Sequence, residues 1–267
     1  MEWLNNNSLS FYDTESIFEN TIRHNSDKHN IVSYYADMKN LTHVNLRKCR
    51  LNFLPEFKSK CIEFLDLSCN NLTSIPDWVF KLENLKYLNV GSNLLTHLPD
   101  TCHMSLETLK VHKNKLSKLK TCKTLRFLNL YLNNFEYIPD VSYCEKLEFL
   151  SYGMTNISKL PCWITSFVHL KWLSLVVNKI ETLPNNFHLL SRLKGVRLAK
   201  NNLSSLPDEI GALSDLEELT LYANNLNTLP ESFFDLKLKK LNLSKNKIEI
   251  KDKLKEKFAG IEFFSID

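Results

Sequence analysis

The residues that decide the fold of this chain are LEELTLYANNLNTLP, at positions 216–230. Leucine occupies the first, fourth, sixth, eleventh and fourteenth places of this stretch, asparagine the ninth and proline the last. Successive copies of the pattern start 19 to 23 residues apart, a period typical of a solenoid whose turns each hold one strand and one return segment. The ten starting residues are Leu41, Ile62, Leu85, Leu106, Leu125, Leu147, Leu170, Leu193, Leu216 and Leu238.

Four apolar columns run through the ten repeats, formed by the starting residue and the residues three, five and ten places later. Thirty-nine of these forty places hold Leu, Ile, Val or Phe, and the exception is Tyr152. Stacked turns would bring each column into one continuous core. We therefore expect a single elongated domain, with an N-terminal helical cap over residues 1–40, ten repeats over 41–250 and a C-terminal cap with a terminal strand over 251–267.

Two polar columns have separate physical reasons. A buried asparagine eight residues into the repeat can satisfy backbone groups where the strand turns away, and Cys49 and Thr155, which replace it, predict irregular first and sixth repeats. Proline fourteen residues into the repeat suits an extended return segment because it donates no hydrogen bond. The asparagines are Asn70, Asn93, Asn114, Asn133, Asn178, Asn201, Asn224 and Asn246, and the prolines are Pro55, Pro76, Pro99, Pro139, Pro161, Pro184, Pro207 and Pro230.

Composition narrows the function classes. The 34 basic and 30 acidic residues are too evenly matched to imply nucleic acid or an anionic membrane. Seven cysteines, with no CxxC pair, indicate reduced thiols rather than a disulfide framework or a zinc site. The first residues lack the basic and apolar regions of a signal peptide, and no apolar run is long enough to span a membrane. We therefore expect a cytoplasmic protein that does not associate with a membrane.

The repeat consensus supports a resemblance to a known family. LPxxIxxLxxLxxLxLxxNxL, as in the stretch from Leu206 to Leu226, resembles the leucine-rich repeat, in particular its 23-residue class from Ras-suppressor and plant intracellular Ras-group proteins. It is also similar to repeat effectors of intracellular bacterial pathogens. The resemblance implies an α/β solenoid, a right-handed arc with a parallel sheet on the concave face and short helices or 3₁₀ turns on the convex face.

Catalytic and cofactor motifs are missing from the sequence. There is no P-loop, GxGxxG, HExxH or GxSxG motif, and five glycines make a phosphate-binding loop hard to build. The pairs His24 and His29, and His103 and His112, lack a third ligand at metal-site spacing. We expect no enzyme activity, no cofactor and no metal.

Recognition is expected at the variable strand positions, which alternate with the buried ones. Five of the ten residues two places into the repeat are large aromatics, and large apolar residues gathered on one surface indicate a binding site. The alternative is that the aromatics only pack along the ladder. A nucleic-acid surface is disfavoured because glutamates interrupt the basic residues. The predicted partner-binding residues are Phe64, Tyr87, Phe127, Tyr131, Leu132, Phe149, Met154, Trp172, Val176, Val177, Arg197 and Tyr222.

The function predicted from these features is a monomeric, non-enzymatic module that binds a protein or peptide on its concave face. The family resemblance implies a signalling regulator whose partner is a small GTPase, a kinase or a phosphatase, or a bacterial effector that acts on a host protein in the host cytosol. The alternative is an adaptor for enzymatic machinery, such as the substrate receptor of a ubiquitin ligase, which would dock through residues 1–40.

Overall fold

The structure, a computed structural model, describes residues 37–266. The helix predicted around Ile17 and Phe18 lies outside these residues, as does nearly all of the docking element that the adaptor alternative requires. No helix within residues 37–266 is long and apolar enough to cross a membrane.

The repeats build one parallel sheet in which each three-residue strand pairs with the strand of the next repeat. The register joins equivalent residues, so Leu128 lies opposite Leu150. The spatial order of the strands equals their order in the chain, which confirms the predicted solenoid. The strands are β1 (His43–Asn45), β2 (Phe64–Asp66), β3 (Tyr87–Asn89), β4 (Thr108–Lys110), β5 (Phe127–Asn129), β6 (Phe149–Ser151), β7 (Trp172–Ser174), β8 (Gly195–Arg197), β9 (Glu218–Thr220), β10 (Lys240–Asn242) and β11 (Phe263–Ser265).

The return segments contain short 3₁₀ helices, several of which begin directly after a proline of the repeat. Pro76 has φ −68° and ψ 148°, an extended conformation, and its carbonyl accepts a hydrogen bond from the Val79 N–H at 3.1 Å. The 3₁₀ helices span Asp77–Lys81, Cys162–Ser166, Asn185–Leu189, Ile210–Ala212 and Glu231–Asp235. After the last of them, helix α1 (Lys251–Phe258) buries Leu254 and Phe258, and β11 follows it.

The core consists of the predicted apolar columns. The residues three places into the repeat, which are the middle residues of β1 to β10, are all at most 3% exposed. Tyr152, the one departure from an aliphatic or phenyl side chain, is also fully buried, with its ring 6.0 Å from that of Phe135. Burial of a leucine side chain contributes about 2 kcal/mol, so repetition of the columns is the main source of stability.

The asparagine column binds the backbone of two turns at once. Asn201 accepts a hydrogen bond from the Ile180 N–H at 3.1 Å and donates to the carbonyls of Leu175 and Leu198 at 3.0 and 2.9 Å. The sixth repeat is irregular, as predicted from Thr155. The N–H and the hydroxyl of Thr155 both donate to the Asn178 side-chain oxygen, at 3.2 and 2.8 Å.

Candidate functional site

The concave face carries the strand residues on either side of each buried middle residue. In β5, for example, Leu128 is fully buried while Phe127 and Asn129 on either side of it are partly exposed. This alternation follows from the pleat of the strand. The residues of one column come together because the register repeats from turn to turn.

The aromatic column forms two stacks of rings. In the first, the Phe64 ring lies 5.7 Å from that of His43 and 4.1 Å from that of Tyr87. In the second, the rings of Phe127 and Phe149 are 4.0 Å apart and nearly parallel, at 4°. Packing along the ladder therefore accounts for part of the aromatic content, since such pairs contribute about 0.5–1.5 kcal/mol beyond their burial. All five rings remain partly exposed.

A lysine joins the two stacks. Strand β4 carries Thr108 in the aromatic column, which leaves a gap between Tyr87 and Phe127. The Lys110 ammonium fills this gap, 5.2 Å from the centre of the Tyr87 ring and 4.9 Å from that of Phe127. Burial lowers the pKa of Lys110, and cation–π attraction of about 1 kcal/mol per ring offsets part of that cost.

Three glycines on this face each make room for a ring of a neighbouring turn. A methyl group on Gly195 would lie 2.0 Å from the Trp172 ring, and one on Gly91 would lie 2.2 Å from the His112 ring. Beside Gly153 the nearest ring atom, on Tyr131, would be 2.9 Å away. These glycines are not among the residues predicted from the sequence. The available signal was that Gly195 follows Trp172 one repeat later in the same column.

The residue seven places into each repeat adopts a left-handed backbone conformation, with φ between 54° and 59°. Its N–H can then bond to the carbonyl of the next turn, as Met154 does to Val176 at 3.0 Å. None of these residues is glycine, so the sequence carried no obvious signal for the conformation. We call the set the left-handed row; its members are Lys48, Cys69, Ser92, Lys113, Leu132, Met154, Val177, Lys200, Ala223 and Lys245.

Three consecutive members of this row are apolar and accessible. Leu132 is 37% exposed and Met154 is 40% exposed, while Val177 is partly exposed. The Tyr131 hydroxyl lies 2.7 Å from the Met154 sulfur. Val176 is only 6% exposed, so of the predicted binding residues in this area it offers the least surface to a partner.

The remaining predicted residues lie at the C-terminal end of the face, in a more charged setting. Arg197 lies 3.7 Å from Glu218, which also pairs with Lys240 at 2.7 Å. The Lys245 ammonium is 5.3 Å from the centre of the Tyr222 ring. Arg197 and Tyr222 thus border the apolar area rather than belong to it.

The same face contains one unusual histidine. The His112 ring packs over Gly91 of the preceding turn, and its buried Nδ1 has no hydrogen-bond partner within residues 37–266. Burial, then the nearby charges of Lys110 and Lys113, lower the pKa of His112 to about 4. The ring is therefore neutral at physiological pH. No group of three potential metal ligands occurs among the residues that the structure describes.

Parts of this chain match a known family profile and a curated protein. The family profile described as Leucine rich repeat matches residues 62–116 and 191–248. Among curated proteins, the adenylate cyclase of Schizosaccharomyces pombe is 34% identical over 109 residues, which make up 38% of this chain and 6% of the cyclase. This chain thus spans only a small part of that relative's length.

Solved structures of bacterial proteins share the architecture. An LRR protein of Leptospira interrogans is 27% identical, with a TM-score of 0.63, and the match covers 85% of this chain and 73% of that one. The leucine-rich effector protein YopM of Yersinia pestis is 25% identical, with a TM-score of 0.64, over 77% of this chain and 61% of YopM. The predicted similarity to effectors of bacterial pathogens is confirmed; membership of the 23-residue class stays a prediction.

Proposed function

We propose that this chain, which matches the leucine-rich repeat profile over residues 62–116 and 191–248, is a protein-interaction module that holds a protein or an extended peptide against its concave face. The observation that carries this proposal is the accessible run of Leu132, Met154 and Val177, which begins in the same turns as the stacked rings of Phe127 and Phe149. The fold requires apolar residues on the core side of the strands. It does not require three of them on the accessible side in consecutive turns.

Ring packing along the ladder is an incomplete explanation of this surface. Stacking uses the faces of Phe127 and Phe149, but both residues remain partly exposed, and stacking gives no reason for the exposure of Met154 and Leu132. Aromatic residues and methionine are enriched where partners bury surface. The likeness to the Yersinia pestis effector supports a narrower form of the proposal, in which the partner is a signalling protein of a host cell.

The test replaces Phe149 and Trp172 with alanine and compares affinity capture from eukaryotic and bacterial lysates by quantitative mass spectrometry. Hot-spot aromatics contribute about 2 kcal/mol or more each, so we expect the double variant to lose at least nine-tenths of the partner captured by the natural protein. Circular dichroism and thermal melting verify that the variant is folded.

The matched control removes two aromatics that lie outside the strands. Phe53 and Tyr137 are 75% and 74% exposed and occupy the same place in the first and fifth repeats. Phe53→Ala with Tyr137→Ala should leave capture intact. A folded Phe149 and Trp172 variant that captures the same proteins in the same amounts would refute a binding role for the concave face.

A further inference from the structure

The two edges of the concave sheet differ in charge. The carboxyl edge consists of the residues that follow the strands, six, seven and nine places into each repeat. These thirty positions contain nine lysines and arginines and no aspartate or glutamate. The nine are Arg47, Lys48, Arg50, Lys113, Lys115, Lys179, Lys200, Lys245 and Lys247. Since the chain has 34 basic and 30 acidic residues in all, this edge concentrates one sign of charge.

The amino edge, one and two places into each repeat, balances its own charges. Glu148 lies between Arg126 and Lys171, and its carboxylate pairs with both, at 2.7 Å from the Lys171 ammonium. Glu217 and Lys239 form a pair at 3.0 Å. Ladders of this kind leave little net field for a partner to recognise.

The carboxyl edge has no comparable ladder at its centre. The side chains of Lys48, Lys113 and Lys200 are exposed and form no salt bridge within residues 37–266. Arg197, the last residue of β8 and not part of this edge, pairs with Glu218 of the amino edge at 3.7 Å. A positive field therefore persists along the carboxyl edge, and it favours a partner of negative charge.

The centre of this edge has a symmetric order of side chains. Along the left-handed row, Lys113 is followed by Leu132, Met154 and Val177, and then by Lys200. Adjacent strands lie about 4.8 Å apart, so the two lysines are separated by about 19 Å. An extended chain rises about 3.3 Å per residue and therefore covers this distance in about six residues.

Val177 has a backbone conformation that is unfavourable for valine. A β-branched residue at φ 56° is a genuine outlier, because the left-handed conformation brings the Cβ close to the following carbonyl oxygen. Its partial exposure means that burial in the core offsets little of this strain. The fold sets this backbone conformation in every repeat, but it does not require a β-branched residue there, and a strained residue of this kind is typical of a functional position.

We propose that the carboxyl edge binds an extended acidic segment of the partner protein, in which two carboxylates about six residues apart pair with Lys113 and Lys200 and enclose apolar side chains that cover Leu132, Met154 and Val177. This inference rests on the proposed function and adds the chemistry of the partner to it. The charge gives selectivity and steering, while the apolar centre supplies affinity.

A single-stranded nucleic acid is the competing ligand for a basic, aromatic surface, and the ring geometry disfavours it. Bases bind by stacking on free aromatic faces. Here Tyr87 has Phe64 on one side and Lys110 near it, and Phe127 contacts Phe149 and the same lysine. The exposed apolar side chains at the centre of the edge, Leu132 and Met154, are not aromatic and offer no stacking platform.

The test selects peptides on the immobilised full chain from a phage library of seven-residue segments. We expect Asp or Glu to be enriched at the first and seventh positions and apolar residues at the third and fifth, which point to the same side of an extended chain. In the variant Lys113→Glu with Lys200→Glu, the preference should reverse to Lys or Arg. By fluorescence anisotropy, this variant should bind the selected acidic peptides at least tenfold more weakly.

The control variant is Lys159→Glu with Lys237→Glu, which makes the same change of net charge at two exposed lysines away from the carboxyl edge. It should keep the acidic preference. The inference is overturned if selection shows no acidic enrichment, if reversal of Lys113 and Lys200 leaves the preference unchanged, or if labelled oligodeoxythymidylate binds through these lysines while no peptide is selected. Peptides that lose affinity only in the Phe149 and Trp172 variant would remove this inference and leave the interaction module standing.

Discussion

The change from Asn201 to alanine tests how the solenoid turns are held together. Three hydrogen bonds of ordinary length would be lost: one from the Ile180 N–H, at 3.1 Å, and one to each carbonyl of Leu175 and Leu198, at 3.0 and 2.9 Å. A fourth, to the Ala199 carbonyl at 3.5 Å, is too long to contribute much. The carbonyls would each keep a second donor, because Asn178 also donates to Leu175 and Asn224 to Leu198. The amide of Ile180 would lose the side-chain acceptor that it has now.

The expected loss of stability follows from how each of these backbone groups is left after the substitution. An orphaned buried N–H costs about 1–3 kcal/mol, and each lost but partly replaced hydrogen bond costs about 1 kcal/mol. The sum is about 3–5 kcal/mol in the free energy of unfolding. Because stability in a solenoid depends on the interfaces between neighbouring turns, we also expect a broader urea transition as the two halves lose cooperativity.

The neighbouring residue supplies a matched control. Asn202 is exposed, so Asn202→Ala makes the same chemical change one residue later and should alter stability by less than about 0.5 kcal/mol. Urea unfolding followed by circular dichroism measures both variants. If Asn201→Ala costs less than about 1 kcal/mol, or no more than Asn202→Ala, the assignment of this column to turn-to-turn bonding is wrong.

Two further predictions concern the concave face. Burial and the charges of Lys110 and Lys113 lower the pKa of His112 from 6.5 to about 4. Between these pH values the unfolded chain binds a proton that the folded protein does not. The free energy of unfolding must therefore decrease as the pH is lowered through this range, by about 2 kcal/mol at pH 5 relative to pH 7. In His112→Gln this contribution should vanish, which is measured as a change in the stability difference between variant and natural protein from pH 7 to pH 5; an unchanged difference would contradict the assignment. Val177→Asn should raise the free energy of unfolding by about 1 kcal/mol, because asparagine tolerates the left-handed conformation, and should weaken peptide binding; a variant that is less stable would show that Val177 is not strained.

The prediction from sequence succeeded where contacts follow from periodicity alone. Leu128 pairs with Leu150 because equivalent residues of successive repeats must meet, and the spacing of the repeat reveals which residues are equivalent. The roles of Asn201 and Thr155 could be predicted for the same reason. The candidate site was harder: the aromatic column could be read from the sequence, but the packing of its rings could not, since the gap at Thr108 is filled by Lys110 from a different column.

The sequence by itself determined the solenoid, its core and the identity of the variable positions, because a fixed period converts local spacing into long-range contacts. Only the tertiary structure decided how those variable side chains are directed. The left-handed conformation of Met154 and Val177 arises from hydrogen bonds to the next turn. Neither position holds a glycine, which would have indicated this conformation in the sequence. The excess of basic residues at the carboxyl edge can be counted in the sequence, but the neutralisation of the amino edge depends on pairs such as Glu148 with Lys171, which form across turns and require the side-chain geometry.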